Sequence, residues 1–158
     1  MQAKPGVIDT LNMILTNELT AVNQYFIQAE ICADWGFPAL YEKLRALSFG
    51  EMKETQRIIR HILYLDGLPN LQRLNRVRVG ETALEHLKVD VDLELAQIQA
   101  LTEGIALCQQ VSDYTTRGIL EELVRAEEED LGWLETQLET IRQIGLERYL
   151  TQQVKEEG

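Results

Sequence analysis

Between residues 44 and 65 the chain repeats apolar residues at helical spacing, yet the middle of the repeat is acid. Leu44, Leu47, Glu51, Glu54, Ile58, Ile62 and Leu65 form one stripe of an α-helix, with Glu51 and Glu54 at its centre. A carboxylate in a core is costly unless it is paired or bound to a cation. Whatever this chain folds into must therefore bring partners or a metal to that level of the helix.

The other helical segments repeat the anomaly. From about Val7 to Asp34 the stripe is Leu11, Leu15, Glu18, Val22, Tyr25 and Ala29. The second helix runs from about Pro38 to Asp66, with Gly67 and Pro69 ending it. Thr82-Ala83-Leu84-Glu85 reads as a capping box that opens a third helix, with the stripe Leu84, Leu87, Val91, Glu94, Ile98, Leu101 and Ile105. Ser112-Asp113 breaks that helix and offers an N-cap for a fourth, with the stripe Leu120, Leu123, Glu127, Asp130, Leu134, Leu138 and Ile141. Gly145 reads as its C-terminal cap, and Leu146 to about Gln153 as one more short helix. The tail Lys155-Glu156-Glu157-Gly158 is expected to be loose.

The connections set the topology. Trp35-Gly36-Phe37-Pro38 is a short turn, so the first two helices are antiparallel neighbours. Residues 67–81 have no sustained period and are long for a bundle connection. A 28-residue helix is about 42 Å long, and fifteen extended residues reach roughly 50 Å. The loop can cross the whole bundle and start the third helix at the same end as the second. Only 3 prolines and 10 glycines interrupt 158 residues, and no segment alternates with period two. The fold class is all-α: a four-helix bundle with one long crossover and a short fifth helix, forming a single domain over residues 1–158.

Packing four such helices brings their midpoints to one level. Glu18, Glu51, Glu54, Glu94, Glu127 and Asp130 then surround one cavity, where each acid raises the pKa of its neighbours. Two divalent or trivalent cations would resolve the repulsion. Any single acid could face solvent through a misjudged phase, but acids at matched depth in four helices argue against that. One Glu from each of two helices, with a Glu-x-x-ligand pair from each of the others, is the pattern of di-iron carboxylate bundles, although there the second member of each pair is His.

A net charge of −11 argues against nucleic acid or an anionic membrane as a partner and suits a surface that attracts cations. Cys32 and Cys108 are too few for a disulfide framework and sit in buried patterns, which points to reduced thiols and a cytoplasmic location. Residues 1–6 lead directly into an amphipathic helix, so no signal peptide is expected, and no apolar run approaches a membrane span.

Several stretches together resemble the bacterioferritins: Asn17-Glu18-Leu19, Asn23-Gln24-Tyr25-Phe26, Asp34-Trp35-Gly36, Glu51-Met52-Lys53, the loop start Leu65-Asp66-Gly67-Leu68-Pro69-Asn70-Leu71-Gln72, and Trp133-Leu134-Glu135-Thr136-Gln137-Leu138. The resemblance covers essentially the whole chain. It implies a ferritin-like bundle, self-assembly into a 24-subunit shell, iron storage as ferric mineral, and haem b held between two-fold-related chains by one Met from each. The matching position is Met52, and periodicity places it off the bundle core, where an apolar residue needs a partner chain or a cofactor. Leu19, Asn23, Phe26 and Phe49 can share that outer face.

The chain departs from the family where iron chemistry is concerned. The family's ferroxidase centre uses four Glu and two His. Glu18, Glu51, Glu94 and Glu127 match, but the His positions are Glu54 and Asp130, and the only histidines, His61 and His86, lie elsewhere. The positions of an inner-wall iron site, His and Asp in the family, are Ala46 and Gly50. All-oxygen ligation favours hard ions over Fe²⁺. The leading expectation is a haem-binding shell subunit with a degraded ferroxidase centre that oxidises Fe(II) poorly alone, working with a second subunit type that keeps the His ligands. The alternative is an active ferroxidase with an all-carboxylate di-metal site, for which Tyr25 and Trp133 would be electron donors. A metal-free structural assembly is a third class, opposed by Met52 and the six aligned acids.

Overall fold

The computed structural model describes residues 1–70 and 72–155; Leu71 of the loop motif and residues 156–158 of the expected loose tail lie outside them. Among the described residues there are five helices and no strand: α1 Val7–Asp34, α2 Pro38–Tyr64, α3 Ala83–Gln110, α4 Tyr114–Ile144 and α5 Leu146–Gln153.

The three long helices that end in turns stop in the same way. The residue after the C-cap takes a left-handed conformation: Gly36 at φ 85°, Asp66 at φ 59° and Ser112 at φ 60°. The next amide then reaches back to a carbonyl five residues earlier: Phe37 to Cys32 at 2.9 Å, Gly67 to Ile62 at 2.9 Å and Asp113 to Cys108 at 2.8 Å. This shortens α2 by two residues against expectation, because Asp66, rather than Gly67, holds the left-handed position. Gly67 is needed for a different reason. A Cβ there would lie 2.5 Å from Ile8 Cδ1 and 3.0 Å from Ile62 Cγ2.

At the start of α3, the Thr82 hydroxyl accepts from the Glu85 amide at 3.1 Å, as a capping box requires. The Glu85 carboxylate reaches one residue further back than the motif prescribes, accepting from the Glu81 amide at 2.6 Å. Asp113 caps α4 by accepting from the Thr116 amide at 3.0 Å.

The crossover is anchored along α1 by a polar ladder. Asn12 Nδ2 donates to the Leu68 carbonyl, and Thr20 Oγ1 accepts from the Asn75 amide. Gln24 Oε1 accepts from the Arg78 amide, and Gln28 Nε2 donates to the Val79 carbonyl. The loop therefore climbs beside α1 and delivers α3 to the end where α2 began. There His86 of α3 meets Cys32 of α1, while at the opposite end His61 of α2 meets Thr116 of α4. α5 closes the first of these ends, with Tyr149 buried against Leu87 and Leu134.

The apolar core has two main clusters. One is built on Leu11, Leu15, Ile58, Ile62, Leu101 and Leu120. The other is built on Ala21, Tyr25, Ala29, Leu40, Leu44 and Leu47. Glu18 lies between their α1 members and Glu51 between their α2 members. One expected stripe is rotated: Leu84, Val91, Ile98 and Ile105 are only half-buried. The inner face of α3 is instead His86, Leu87, Asp90, Glu94, Gln97, Leu101, Gly104 and Cys108. A helix can bury such a polar face where its neighbours supply partners, and α1 does so with Gln24, Tyr25 and Cys32.

Candidate metal centre

Each acid singled out from the sequence reaches the bundle interior. Glu18, Glu51, Glu94 and Glu127 are fully buried, while Glu54 and Asp130 are half-buried at the edge of the same group. They form two overlapping clusters whose carboxylate oxygens lie within 4.8 Å of one another: Glu18, Glu51, Glu54 and Glu127, and Glu51, Glu94, Glu127 and Asp130. Glu51 and Glu127 belong to both. The shorter side chain of Asp130 still reaches the second cluster.

The oxygens have almost no donors. Both oxygens of Glu18 and of Glu127, and one each of Glu51, Glu54 and Glu94, are buried without a hydrogen-bond partner. Two neutral groups supply the exceptions. The Tyr25 phenol donates to Glu94 Oε1, and Gln97 Nε2 donates to Glu51 Oε2 at 3.3 Å.

Burial raises the pKa of Glu18 and Glu51 well above the usual carboxylate value, and surrounding carboxylates add to the shift. Burial also raises Glu94 and Glu127. Asp130 is pushed up to about 7 by burial and then by Glu94 and Glu54, against a smaller lowering by Lys43. Carboxyl oxygens crowded without donors form a set that a cation satisfies and that protons satisfy only in part.

Neither histidine is near. His61 Nε2 lies 2.7 Å from Thr116 Oγ1 at one end of the bundle. His86 stacks on Trp35 at the other, with ring centroids 5.1 Å apart. Tyr25 touches the acids, whereas Trp133 packs among apolar side chains with the Lys43 ammonium 5.2 Å from its ring centroid. Ala46 and Gly50 are exposed, and nothing approaches within 4 Å of a Cβ placed on Gly50.

The outer-face residues form a separate region. Met52, Phe26 and Phe49 are 48%, 47% and 44% exposed, among several large apolar side chains that α1 and α2 leave uncovered. Asn23 is exposed and turned back on its own helix, donating to the Leu19 carbonyl at 2.8 Å, while Leu19 is half-buried. Arg45 lies over the Phe49 ring at 4.4 Å. A cavity of about 350 Å³ adjoins Met52, and its walls are Lys53, Thr55, Gln56, Ile59 and Arg60 rather than the other four residues.

Sequence reasoning missed the buried polar residues of α3 that flank the acids. Asp90 accepts from Gln24 Nε2 at 2.9 Å, and Gln97 meets Glu51. The signal was there: residues 86, 90, 94 and 97 keep helical spacing. It was masked because a stripe drawn through leucines shares Glu94 with the true one.

The sequence profile of the ferritin-like domain matches residues 8–144. The chain is similar to a bacterioferritin of Mycobacterium leprae, with 44% identity over 152 residues and 96% of each chain covered. It is similar to a bacterioferritin of Mycobacterium tuberculosis at 43% over the same coverage. A protein named bacterial ferritin from Pseudomonas aeruginosa is 43% identical over 155 residues, covering 98% of this chain and all of that one. No helix among the described residues is long and apolar enough to cross a membrane.

Proposed function

This chain belongs to the bacterioferritins, and from that premise we propose that it is an iron-storage subunit of a self-assembling shell, with a carboxylate di-metal centre that oxidises Fe(II) slowly by itself. The observation that carries the reading is the set of buried, donorless oxygens on Glu18, Glu51, Glu54, Glu94 and Glu127. Apolar residues or salt bridges would satisfy a core; unpaired acids suit only cations or protons.

Residue roles follow from the two clusters. Glu51 and Glu127, common to both, would bridge two metal ions. Glu18 and Glu54 would complete one site, and Glu94 and Asp130 the other. Six carboxylates carry two more negative charges than two Fe²⁺ ions neutralise, and they match two Fe³⁺ ions. The donor set thus binds the oxidised product of the substrate iron better than the substrate, which slows turnover. A second subunit type with imidazole at the Glu54 and Asp130 positions would supply fast oxidation in a mixed shell.

Haem b is the proposed cofactor of the outer face. Met52 offers a soft thioether, and the exposed Phe26 and Phe49 offer apolar walls that a second copy of the chain would complete. When bound, haem supplies one-electron transfer, here in reductive iron release. Leu19 and Asn23 would frame it.

One observation favours a second reading, an active all-carboxylate ferroxidase. Asp130 reaches the cluster, and Tyr25 is bonded to Glu94, where a phenol could deliver an electron. Trp133 would be a more distant donor. Fe(II) added aerobically at two ions per chain, followed by absorbance, separates the readings. Slow oxidation is expected, and a fast burst of two Fe(II) per chain would replace the first reading with the second. Light scattering on the same sample should show closed particles of one size.

A further inference from the structure

Gln97 sits one turn beyond Glu94 on the inner face of α3 and is 1% exposed. Its amide makes one hydrogen bond, from Nε2 to Glu51 Oε2 at 3.3 Å, while its own Oε1 is buried with no partner. An unsatisfied buried carbonyl is a cost that Leu or Met in the same space would not incur. Packing alone therefore does not account for glutamine here. The residue also borders a cavity of about 170 Å³ with a mixed lining that includes Thr20, Asn75, Val89, Leu93 and Ala96.

The target carries the rest of the argument. Glu51 is common to both acid clusters. With Oε2 held by Gln97, its Oε1 is the oxygen left without a partner. Tyr25 makes the equivalent contact to Glu94. Both donors are neutral. A Lys or Arg in either place would orient the carboxylate equally well but repel an incoming cation.

We infer that Gln97 is a positioning residue for the di-metal centre, holding Glu51 by one oxygen so that the other is aimed at the metal. This rests on the reading of the six acids as a metal site. Outer hydrogen-bond partners of metal ligands are worth about 10–100-fold in affinity, and that is the effect expected here.

The test is a Co²⁺ titration of the metal-free full-length protein, followed by its visible absorption. Wild type is compared with Gln97→Met, which keeps the shape and loses the donor, and with Gln97→Leu in case the first assembles poorly. Wild type should take up two Co²⁺ per chain. The variants should bind at least one of them about 10–100-fold more weakly, with altered visible bands, and their metal-free stability should fall modestly because Glu51 Oε2 loses its donor. A residue that only fills space would leave the Co²⁺ spectrum and affinity unchanged, whatever the change in metal-free stability. That result, or tighter binding in the variants, would overturn the inference. Wild-type protein that takes up no Co²⁺ would overturn both the inference and the metal reading beneath it.

Discussion

Gln24 of α1 donates to Asp90 of α3 at 2.9 Å, and its amide oxygen accepts from the Arg78 amide of the crossover at 3.1 Å. One buried side chain therefore joins two helices and the long loop. Gln24→Leu would leave the Arg78 amide and one Asp90 oxygen short of partners. The expected loss is about 1–3 kcal/mol, read from denaturant unfolding of the metal-free protein. Unchanged stability would mean that the crossover is held by its other ladder bonds alone.

The metal-free protein should become less stable as pH rises from about 4 towards 7. Burial pushes the Asp90 carboxyl up to about 7, and Gln24 and Gln28 only partly offset it. Asp130 is raised to about 7 in the same sense. In this window the folded state binds more protons than the unfolded chain. Stability is fully present below the unfolded pKa and is lost as pH climbs through the folded one. The buried glutamates add with the same sign. Thermal unfolding across this range should show the decline, Asp90→Asn should flatten part of it, and divalent metal should restore stability at neutral pH.

Met52→Leu should abolish or alter the haem spectrum of protein expressed with haem supply, at an expected one haem per two chains. Met52 is half-exposed and outside the core clusters, so the shell should persist in light scattering. An unchanged spectrum would rule out the thioether as axial ligand.

Glu54→His combined with Asp130→His should raise the initial rate of aerobic Fe(II) oxidation about tenfold or more. The double change removes two negative charges and restores nitrogen ligands suited to Fe²⁺. Each acid serves a different cluster, so either single change should fall well short of the pair. Metal-free stability should hold or improve as repulsion falls. A wild type already as fast as the double variant would favour the all-carboxylate ferroxidase. Equal slowness would point to the missing inner-wall ligands at Ala46 and Gly50.

Helical periodicity, turn residues and loop length are local properties, and the sequence alone determined what depends on them. That covers the four long helices and the short fifth, the crossover, and the acids on the inner faces of α1, α2 and α4. Even the ends were nearly right, because Gly36 and Asp113 act within a turn of their own position. The phase of α3 was decided by tertiary structure. Its leucines and its polar residues define two faces that share Leu87, Glu94 and Leu101, and periodicity cannot rank them. Burial of the polar face becomes favourable only when Gln24 meets Asp90, Tyr25 meets Glu94 and Glu51 meets Gln97. Those contacts join residues 46 to 69 positions apart, and they exist only once the crossover has brought α3 into place against α1 and α2.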